Sequence, residues 1–422
     1  MKRLKLVMIG NGMAGVRTLE ELLKIAPELY QITIFGAEPH PNYNRIQLSP
    51  VLAGEQDFED IVLNDLNWYA ERGIRLLLGR QVVEIDRVRR RVIAEDGSSA
   101  EYDRLLIATG SSPVILPIPG NTLDGVIGYR DIADTRAMLL SATQHRRAVV
   151  IGGGLLGLEA ANGLSLRGMQ VTVVHRGASL LERQLDSRAG QLLQNDLERR
   201  GLHFALGKQT RELLGSNTGR VGAVRLDDGE RLDADLVVMA AGISPNIALA
   251  QRAGLPCSRG ILVDDTLQTF DPRIYAVGEC VSHRGVAYGL VAPLFEQARV
   301  CANHLAMLGY SRYPGSVTST RLKVTGIELF SAGDFAGGQG TQSITLDDPI
   351  GGTYRKLVLK DDVLVGACLY GDTLDAPWYW RLIRQGDEVG AIRDRLMFGE
   401  RALTDAEREQ RSAVTLPLRG AA

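Results

Sequence analysis

The chain has 422 residues, 45% of them hydrophobic and 23% charged, and a net charge of −2. That length suits two or three domains with substantial cores, and the balanced charge argues against nucleic acid or an anionic membrane as the main partner. No apolar run approaches the roughly 20 residues needed to span a bilayer. The chain passes from two basic residues straight into an apolar strand, so the expectation is a cytoplasmic protein without a cleaved leader. The four cysteines, Cys257, Cys280, Cys301 and Cys368, form no C-x-x-C pair and no cluster with metal-ligand spacing. They read as small buried or surface thiols, which disfavours a redox dithiol, a cysteine-ligated cluster or a zinc site and leaves no metal ligand to name.

The first element is the strand Leu6-Val7-Met8-Ile9, followed by Gly10-Asn11-Gly12-Met13-Ala14-Gly15. Apolar Val16, Leu19, Leu22, Leu23 and Ala26 then recur at helical spacing up to Pro27. This strand, glycine loop and helix form a dinucleotide-binding fingerprint. The first glycine permits the turn, the second lets the backbone approach a pyrophosphate, and the third lets helix and strand pack closely. The phosphates then meet the helix N-terminus, where free N–H groups and the dipole favour anions. A second strand, Ile32-Thr33-Ile34-Phe35, leads to Glu38, the acid expected on the adenosine ribose hydroxyls, with a solvated turn acid as the alternative. Arg45, in the loop Pro41–Pro50, is either a pyrophosphate clamp or a solvated loop cation.

Residues 73–102 alternate and turn, with Asp96-Gly97 as a hairpin signal, and read as a small antiparallel insertion. The basic run Arg87, Arg89, Arg90 and Arg91 within them reads as a solvated hairpin. An apolar strand then ends in Ala108-Thr109-Gly110-Ser111-Ser112-Pro113, small residues that suit close backbone approach to a cofactor.

The fingerprint recurs at Ala148-Val149-Val150-Ile151 and Gly152-Gly153-Gly154-Leu155-Leu156-Gly157, followed by a helix over 158–167. The next strand, Val171-Thr172-Val173-Val174, ends in His175-Arg176 with no acid. An acid there would hold the free 2′-hydroxyl of NADH and an Arg would suit the 2′-phosphate of NADPH, so the bare residues lean to NADPH or dual use. The alternative is that Arg176 points to solvent. A strand ending in Ala241-Gly242-Ile243-Ser244-Pro245-Asn246 echoes 107–113, and together the two copies read as an internal duplication.

Tyr275-Ala276-Val277-Gly278-Glu279 places an acid after a short strand, suited to a flavin ribityl chain, and residues 288–302 read as a helix. From about residue 313 the signals are mostly strands, at 322–324, 326–330, 354–359 and 363–369, before Trp378, Tyr379 and Trp380, read as core or interface aromatics. The tail beyond Gly399 is polar and charged, read as a terminal helix or partly disordered segment.

These motifs together resemble the FAD-dependent pyridine nucleotide-disulphide oxidoreductase superfamily. Tyr43–Ser49, Leu181–Asp186, Gly278-Glu279-Cys280 and Tyr288–Leu294 resemble more closely the N-terminal flavin half of the assimilatory nitrite reductase large subunit and the stand-alone electron-transfer reductases of nitrate assimilation. The resemblance implies two doubly wound Rossmann-like domains and a C-terminal α+β domain. Residues 1–115 and 250–318 would form a discontinuous FAD domain, 116–249 an NAD(P)H domain and 319–422 the third. It implies FAD at Gly10, Gly12, Met13, Ala14, Gly15, Glu38, Arg45, Val82, Ala108, Thr109, Gly110, Gly278 and Glu279. NADH or NADPH falls to Gly152, Gly154, Leu155, Leu156, Gly157, His175, Arg176 and Gly242.

Glu159 resembles the superfamily acid that faces the nicotinamide–flavin contact, with a first-turn helix acid as the alternative. His can also follow the second strand in NADH-using nitrite reductases, which weakens the inference toward NADPH. The Cys pair of the disulphide reductases is absent from 42–50, and Pro50 stands where oxygenase-type ferredoxin reductases carry Lys. The iron–sulfur and siroheme domains of nitrite reductase have no counterpart in the cysteine pattern, so this chain is not expected to reduce nitrite itself. The implied activity is hydride transfer from NAD(P)H to the flavin and onward transfer to an external acceptor protein: a nitrate or nitrite reductase component, rubredoxin or ferredoxin. An NADH oxidase or diaphorase is the second reading and a non-catalytic redox sensor the third. A homodimer is a further expectation.

Overall fold

The computed structural model describes residues 3–322, 324, 326–405 and 407. The chain divides into two compact units.

In the first unit a five-stranded sheet has the order Ile274–Ala276, Arg104–Ile107, Leu4–Ile9, Tyr30–Phe35, Arg75–Leu77, every pair parallel. From Leu6 to Ile9 the central strand is apolar without interruption because both its faces are covered there, and Leu6, Val7, Met8 and Ile9 are all buried. The helix Met13–Ile25 makes the crossover to Tyr30–Phe35. Strand Ile274–Ala276 arrives from far along the chain and completes the sheet beside Arg104–Ile107.

The same plan is repeated in a second sheet, ordered Val126–Gly128, Leu236–Met239, Arg147–Ile151, Gln170–His175, His203–Leu206. Here Leu155–Leu166 is the glycine-loop helix. Each copy also carries a three-stranded antiparallel sheet: Val82–Asp86, Arg91–Ala94 and Ser99–Glu101 in the first, and Thr210–Gly215, Val221–Leu226 and Arg231–Asp233 in the second. Residues 75–77, expected in the antiparallel insertion, belong instead to the parallel sheet. Their pairing with Thr33–Phe35 is decided by the tertiary partner rather than by local alternation. Arg87 is likewise not simply solvated, since its Nε donates to Asp271 at 2.9 Å.

The two echoing segments meet each other. Ser111–Pro113 pairs antiparallel with Ile243–Pro245, with Ser112 opposite Ser244. Thr109 Oγ1 donates to the Asn246 carbonyl and Asn246 Nδ2 donates to the Thr109 carbonyl, both at 2.9 Å. The sequence duplication is therefore also a local two-fold relation between the copies.

The second unit contains residues 153–155, 175–201 and 317 onward. Its antiparallel sheet has the order Ser319–Thr320, Leu329–Gly333, Val363–Tyr370, Thr353–Lys360, Gln342–Asp348. Helix Ala376–Gln385 covers one face, with Trp378 and Tyr379 in the core beside Phe330, Leu357 and Leu369. Helix Ser187–Arg199 joins this unit through Tyr354, whose hydroxyl donates to Asp186 at 2.6 Å, and through Arg188, which grips Asp347 at 2.7 and 2.9 Å.

The strand expected at 326–330 runs from Leu329 to Gly333. Strand Gln342–Asp348 escaped the sequence pattern because it is a polar edge strand, mostly exposed on both faces. Lys323, inside the expected strand 322–324, and residues 408–422 of the expected tail lie outside the described residues. The four cysteines are free thiols, with Cys280, Cys301 and Cys368 buried. Among the described residues no helix is long and apolar enough to cross a membrane, and no group of His, Cys, Asp or Glu could hold a metal.

Candidate functional site

The two glycine loops repeat a set of close approaches. A Cβ on Gly10 would lie 2.2 Å from the Ala108 carbonyl oxygen, and one on Gly152 would lie 2.3 Å from that of Ala240. Both positions also have positive φ, at +102° and +130°. The third glycines pack inward. A Cβ on Gly15 would meet Ala108 Cβ and Met8 Sδ at 2.9 Å, and one on Gly157 would meet the Gly152 carbonyl at 1.9 Å. The middle glycines differ: a Cβ on Gly12 or Gly154 meets no described atom within 4 Å. Their bareness serves no internal contact among the described residues. The backbone there is open to something outside the fold.

The helix Met13–Ile25 begins at Gly12 with no side-chain cap and no acid in its first turn. Its leading N–H groups, among them those of Met13, Ala14 and Gly15, need acceptors, and a pyrophosphate would supply them. The second helix likewise has no acid in its first turn, where Leu155 and Leu156 stand. Gly110 and Gly242, in the equivalent strand-end segments, are both at positive φ with no described atom within 4 Å of a built Cβ. These features fit a dinucleotide at each loop.

Around the first loop the acids and guanidinium groups are interlocked. Glu38 accepts from the Tyr43 hydroxyl at 2.7 Å and from Arg45 Nη2 at 2.5 Å. Arg45 Nη1 donates to the Arg130 carbonyl at 2.7 Å, so Arg45 is not an isolated loop cation. Glu279 accepts from Ser111 Oγ at 2.7 Å and pairs with Arg130. Burial pulls the Arg130 guanidinium below its ordinary pKa, while Glu279 pulls the other way. Gly278 donates its N–H to Gln297 Oε1 at 3.0 Å, and Ala14 lies against it. Thr109 is held by Asn246, and Ala108 forms the floor under Gly10 and Gly15. Val82 is buried in the same hydrophobic core at the start of its strand.

At the second loop, His175 Nδ1 accepts the Gly153 N–H at 3.2 Å, which makes Nε2 the protonated nitrogen of the neutral ring. Nε2 is buried without a hydrogen bond, 4.0 Å from a Glu182 carboxylate oxygen. Burial lowers the His175 pKa, opposed by Glu182. Arg176 is exposed.

Glu159 is not a first-turn acid. It is the fifth residue of Leu155–Leu166, only 7% exposed, and its carboxylate accepts from Ser49 Oγ at 2.6 Å. Ser49 lies on the short helix Leu48–Ala53, and its oxygen is 3.1 Å from the hydroxyl of Tyr129.

Sequence reasoning missed Ser49, Tyr129 and Arg130. The available signal was Tyr129-Arg130 itself, an aromatic and a cation between the short strand Val126–Gly128 and Asp131, the cap of helix Ile132–Gln144. Nothing local names their partners, which lie 80 and 149 residues away.

Residues 4–304 match the model of the pyridine nucleotide-disulphide oxidoreductase family, and residues 319–387 match the rubredoxin NAD+ reductase C-terminal domain. The chain belongs to the pyridine nucleotide-disulphide oxidoreductase family. It is an FAD-dependent oxidoreductase whose cofactors are FAD and NAD(P)H.

Over 389 residues it is 51% identical to the nitrite reductase (NAD(P)H) of Bacillus subtilis (strain 168), covering 92% of this chain and 48% of that protein. It is 48% identical over 375 residues to the assimilatory nitrate reductase electron transfer subunit of the same organism, covering 89% of this chain and 48% of that protein. The chain thus spans about half the length of these curated relatives. Among solved structures, the covalent putidaredoxin reductase–putidaredoxin complex superimposes with a TM-score of 0.84 at 28% identity, covering 95% of this chain and all of that one.

Proposed function

We propose that this chain is an NAD(P)H-dependent FAD reductase that passes electrons to a separate redox protein of nitrate or nitrite assimilation. The observation that carries the reading is the pairing of two equivalent dinucleotide halves through Ser111–Pro113 and Ile243–Pro245. In this reading residues 1–115 and 250–318 form the FAD domain, 116–249 the NAD(P)H domain and 319–422 a C-terminal domain.

Gly10, Gly12, Met13, Ala14 and Gly15 hold the FAD pyrophosphate on backbone N–H groups, with Arg45 and the newly found Arg130 as nearby positive charge. Glu38 takes the adenosine ribose, held ready by Tyr43 and Arg45. Val82, Ala108, Thr109, Gly110, Gly278 and Glu279 line the rest. Gly152, Gly154, Leu155, Leu156, Gly157 and Gly242 receive NAD(P)H. His175 braces the loop, and exposed Arg176 stands where a 2′-phosphate would be read. Bound FAD supplies the hydride-accepting chemistry and the single-electron release that a metalloprotein acceptor requires. Glu159 orients the nicotinamide, and the buried groups around it exclude water.

The relatives of nitrogen assimilation support an acceptor from that pathway and a cytoplasmic location. The rubredoxin-reductase match at 319–387 favours rubredoxin as a second acceptor. A homodimer through the C-terminal domain completes the reading, with sedimentation as its test. The deciding experiment is anaerobic stopped-flow reduction with NADH and with NADPH, followed by candidate acceptor proteins. Fast flavin reduction and fast transfer to a nitrate or nitrite reductase component are expected. Rapid aerobic NADH consumption without a partner would instead favour an oxidase, and a purified protein that binds no flavin would overturn the reading.

A further inference from the structure

Glu159 is a carboxylate on the second glycine-loop helix, and a side chain from a distant helix donates to it. Ser49 Oγ donates to it at 2.6 Å from the helix Leu48–Ala53. A serine has one hydroxyl hydrogen. With that hydrogen on Glu159, the Ser49 oxygen accepts from the Tyr129 hydroxyl 3.1 Å away. Burial raises the Tyr129 pKa well above its ordinary value, so the phenol keeps the proton it donates. The result is a one-way line, Tyr129 to Ser49 to Glu159, in residues 3%, 4% and 7% exposed. The helix bearing Ser49 is itself fixed: Arg167 donates to the carbonyls of Leu52 and Val51, and Leu52 packs on Gly163.

We propose that Ser49 and Tyr129 are positioning residues for the reaction with NAD(P)H, fixing the charge and rotamer of Glu159, Ser49 directly from outside the NAD(P)H half and Tyr129 through Ser49. The proposal rests on the reading above that Glu159 orients the nicotinamide. These residues make and break no covalent bond; they hold an acceptor in place by charge-assisted hydrogen bonding. Burial makes the line consequential, because a buried carboxylate that loses a donor is driven to rotate or take up a proton. Its direction also ranks the two residues. Ser49 touches Glu159, whereas Tyr129 acts only through Ser49.

The test is single-turnover flavin reduction by NAD(P)H in the FAD-loaded Ser49→Ala, Tyr129→Phe and Glu159→Gln variants and in the Ser49→Ala/Glu159→Gln double variant. Flavin content and thermal midpoint are checked alongside. Ser49→Ala is expected to slow the limiting reduction rate about tenfold with a smaller change in the apparent NAD(P)H dissociation constant, and Tyr129→Phe about threefold. The double variant should be no slower than Glu159→Gln alone, since residues acting as a unit are not additive. Weakened charge-transfer absorbance between nicotinamide and flavin should accompany the loss, a signature that general destabilisation does not give. If Glu159→Gln slows reduction while Ser49→Ala and Tyr129→Phe match the parent, the positioning proposal fails and the role of Glu159 stands. If Glu159→Gln itself leaves the rate unchanged, the underlying reading of Glu159 fails with it.

Discussion

Arg167 donates from Nε to the carbonyl of Leu52 at 2.7 Å, so the residue just past the second glycine-loop helix holds the end of a helix from the first half. A second donation, to Val51 at 3.0 Å, satisfies another carbonyl that a helix end leaves open. Beside it Gly163 faces Leu52 directly: a Cβ there would lie 2.7 Å from Leu52 Cγ and 2.9 Å from Cδ2. This contact sets where Ser49 stands relative to Glu159.

Gly163→Ala is therefore expected to destabilise the protein, although alanine is the better helix former. The helix gain is about 1 kcal/mol. Overpacking costs about 1–3 kcal/mol, and Leu52, fully buried, has little room to yield. Thermal unfolding followed by flavin release should show a lower midpoint, partly restored by adding Leu52→Ala. Strict additivity in that double-mutant cycle would mean that the two positions do not meet in solution.

Gly12→Ala and Gly154→Ala separate the two cofactors. Neither added methyl meets a described atom within 4 Å, so neither should damage the fold. In the proposed reading both methyls would occupy ground taken by a pyrophosphate. Gly12→Ala is expected to yield folded protein with depleted flavin. Gly154→Ala should keep its flavin while the NAD(P)H KM rises about tenfold, a loss of about 1.4 kcal/mol. Absorbance after purification and steady-state kinetics distinguish the two outcomes.

His175 is expected to make the second glycine loop sensitive to acid. Its Nδ1 accepts the Gly153 N–H, and burial lowers its pKa below the ordinary 6.5. Folding thus favours the neutral ring. Above about pH 6.5 both folded and unfolded states hold it neutral, and its full support is present. As pH falls below that value the unfolded chain binds the proton first, and stability declines until the folded pKa is passed. NAD(P)H affinity should fall only at lower pH, where the folded ring takes up its proton and Nδ1 ceases to accept. The His175→Gln variant should flatten this part of the pH profile; an unchanged profile counts against the assignment.

Arg355 is the tie of the C-terminal unit. Its side chain is 7% exposed and donates to Asp375 at 3.1 Å, Asp372 at 3.1 Å, the Tyr379 hydroxyl at 2.9 Å and the Met397 carbonyl at 2.7 Å. Arg355→Met leaves these acceptors without their donor. Asp372 remains partly in solvent, which places the cost toward the lower end of about 3–5 kcal/mol. Urea unfolding followed by tryptophan fluorescence is the measurement, with Trp378 in the affected core. A midpoint equal to the parent's would remove Arg355 from any structural role.

The sequence by itself determined what is local and periodic: both strand–loop–helix fingerprints, their duplication, and the acids and cations placed by motif at Glu38, Arg45, Glu159 and Glu279. Those features follow from steric demands at single glycines and from apolar periodicity, which are written in neighbouring residues. Tertiary structure alone decided which groups meet. Arg45 turned out to hold Glu38, Arg130 was brought to Glu279, and Ser49 and Tyr129 were brought to Glu159. Tertiary structure also placed residues 75–77 in the parallel sheet and set the two echoing strand ends against one another. Such pairs span tens to more than a hundred residues of chain. Their specificity lies in how whole sheets and helices pack, and no short window of sequence carries that information.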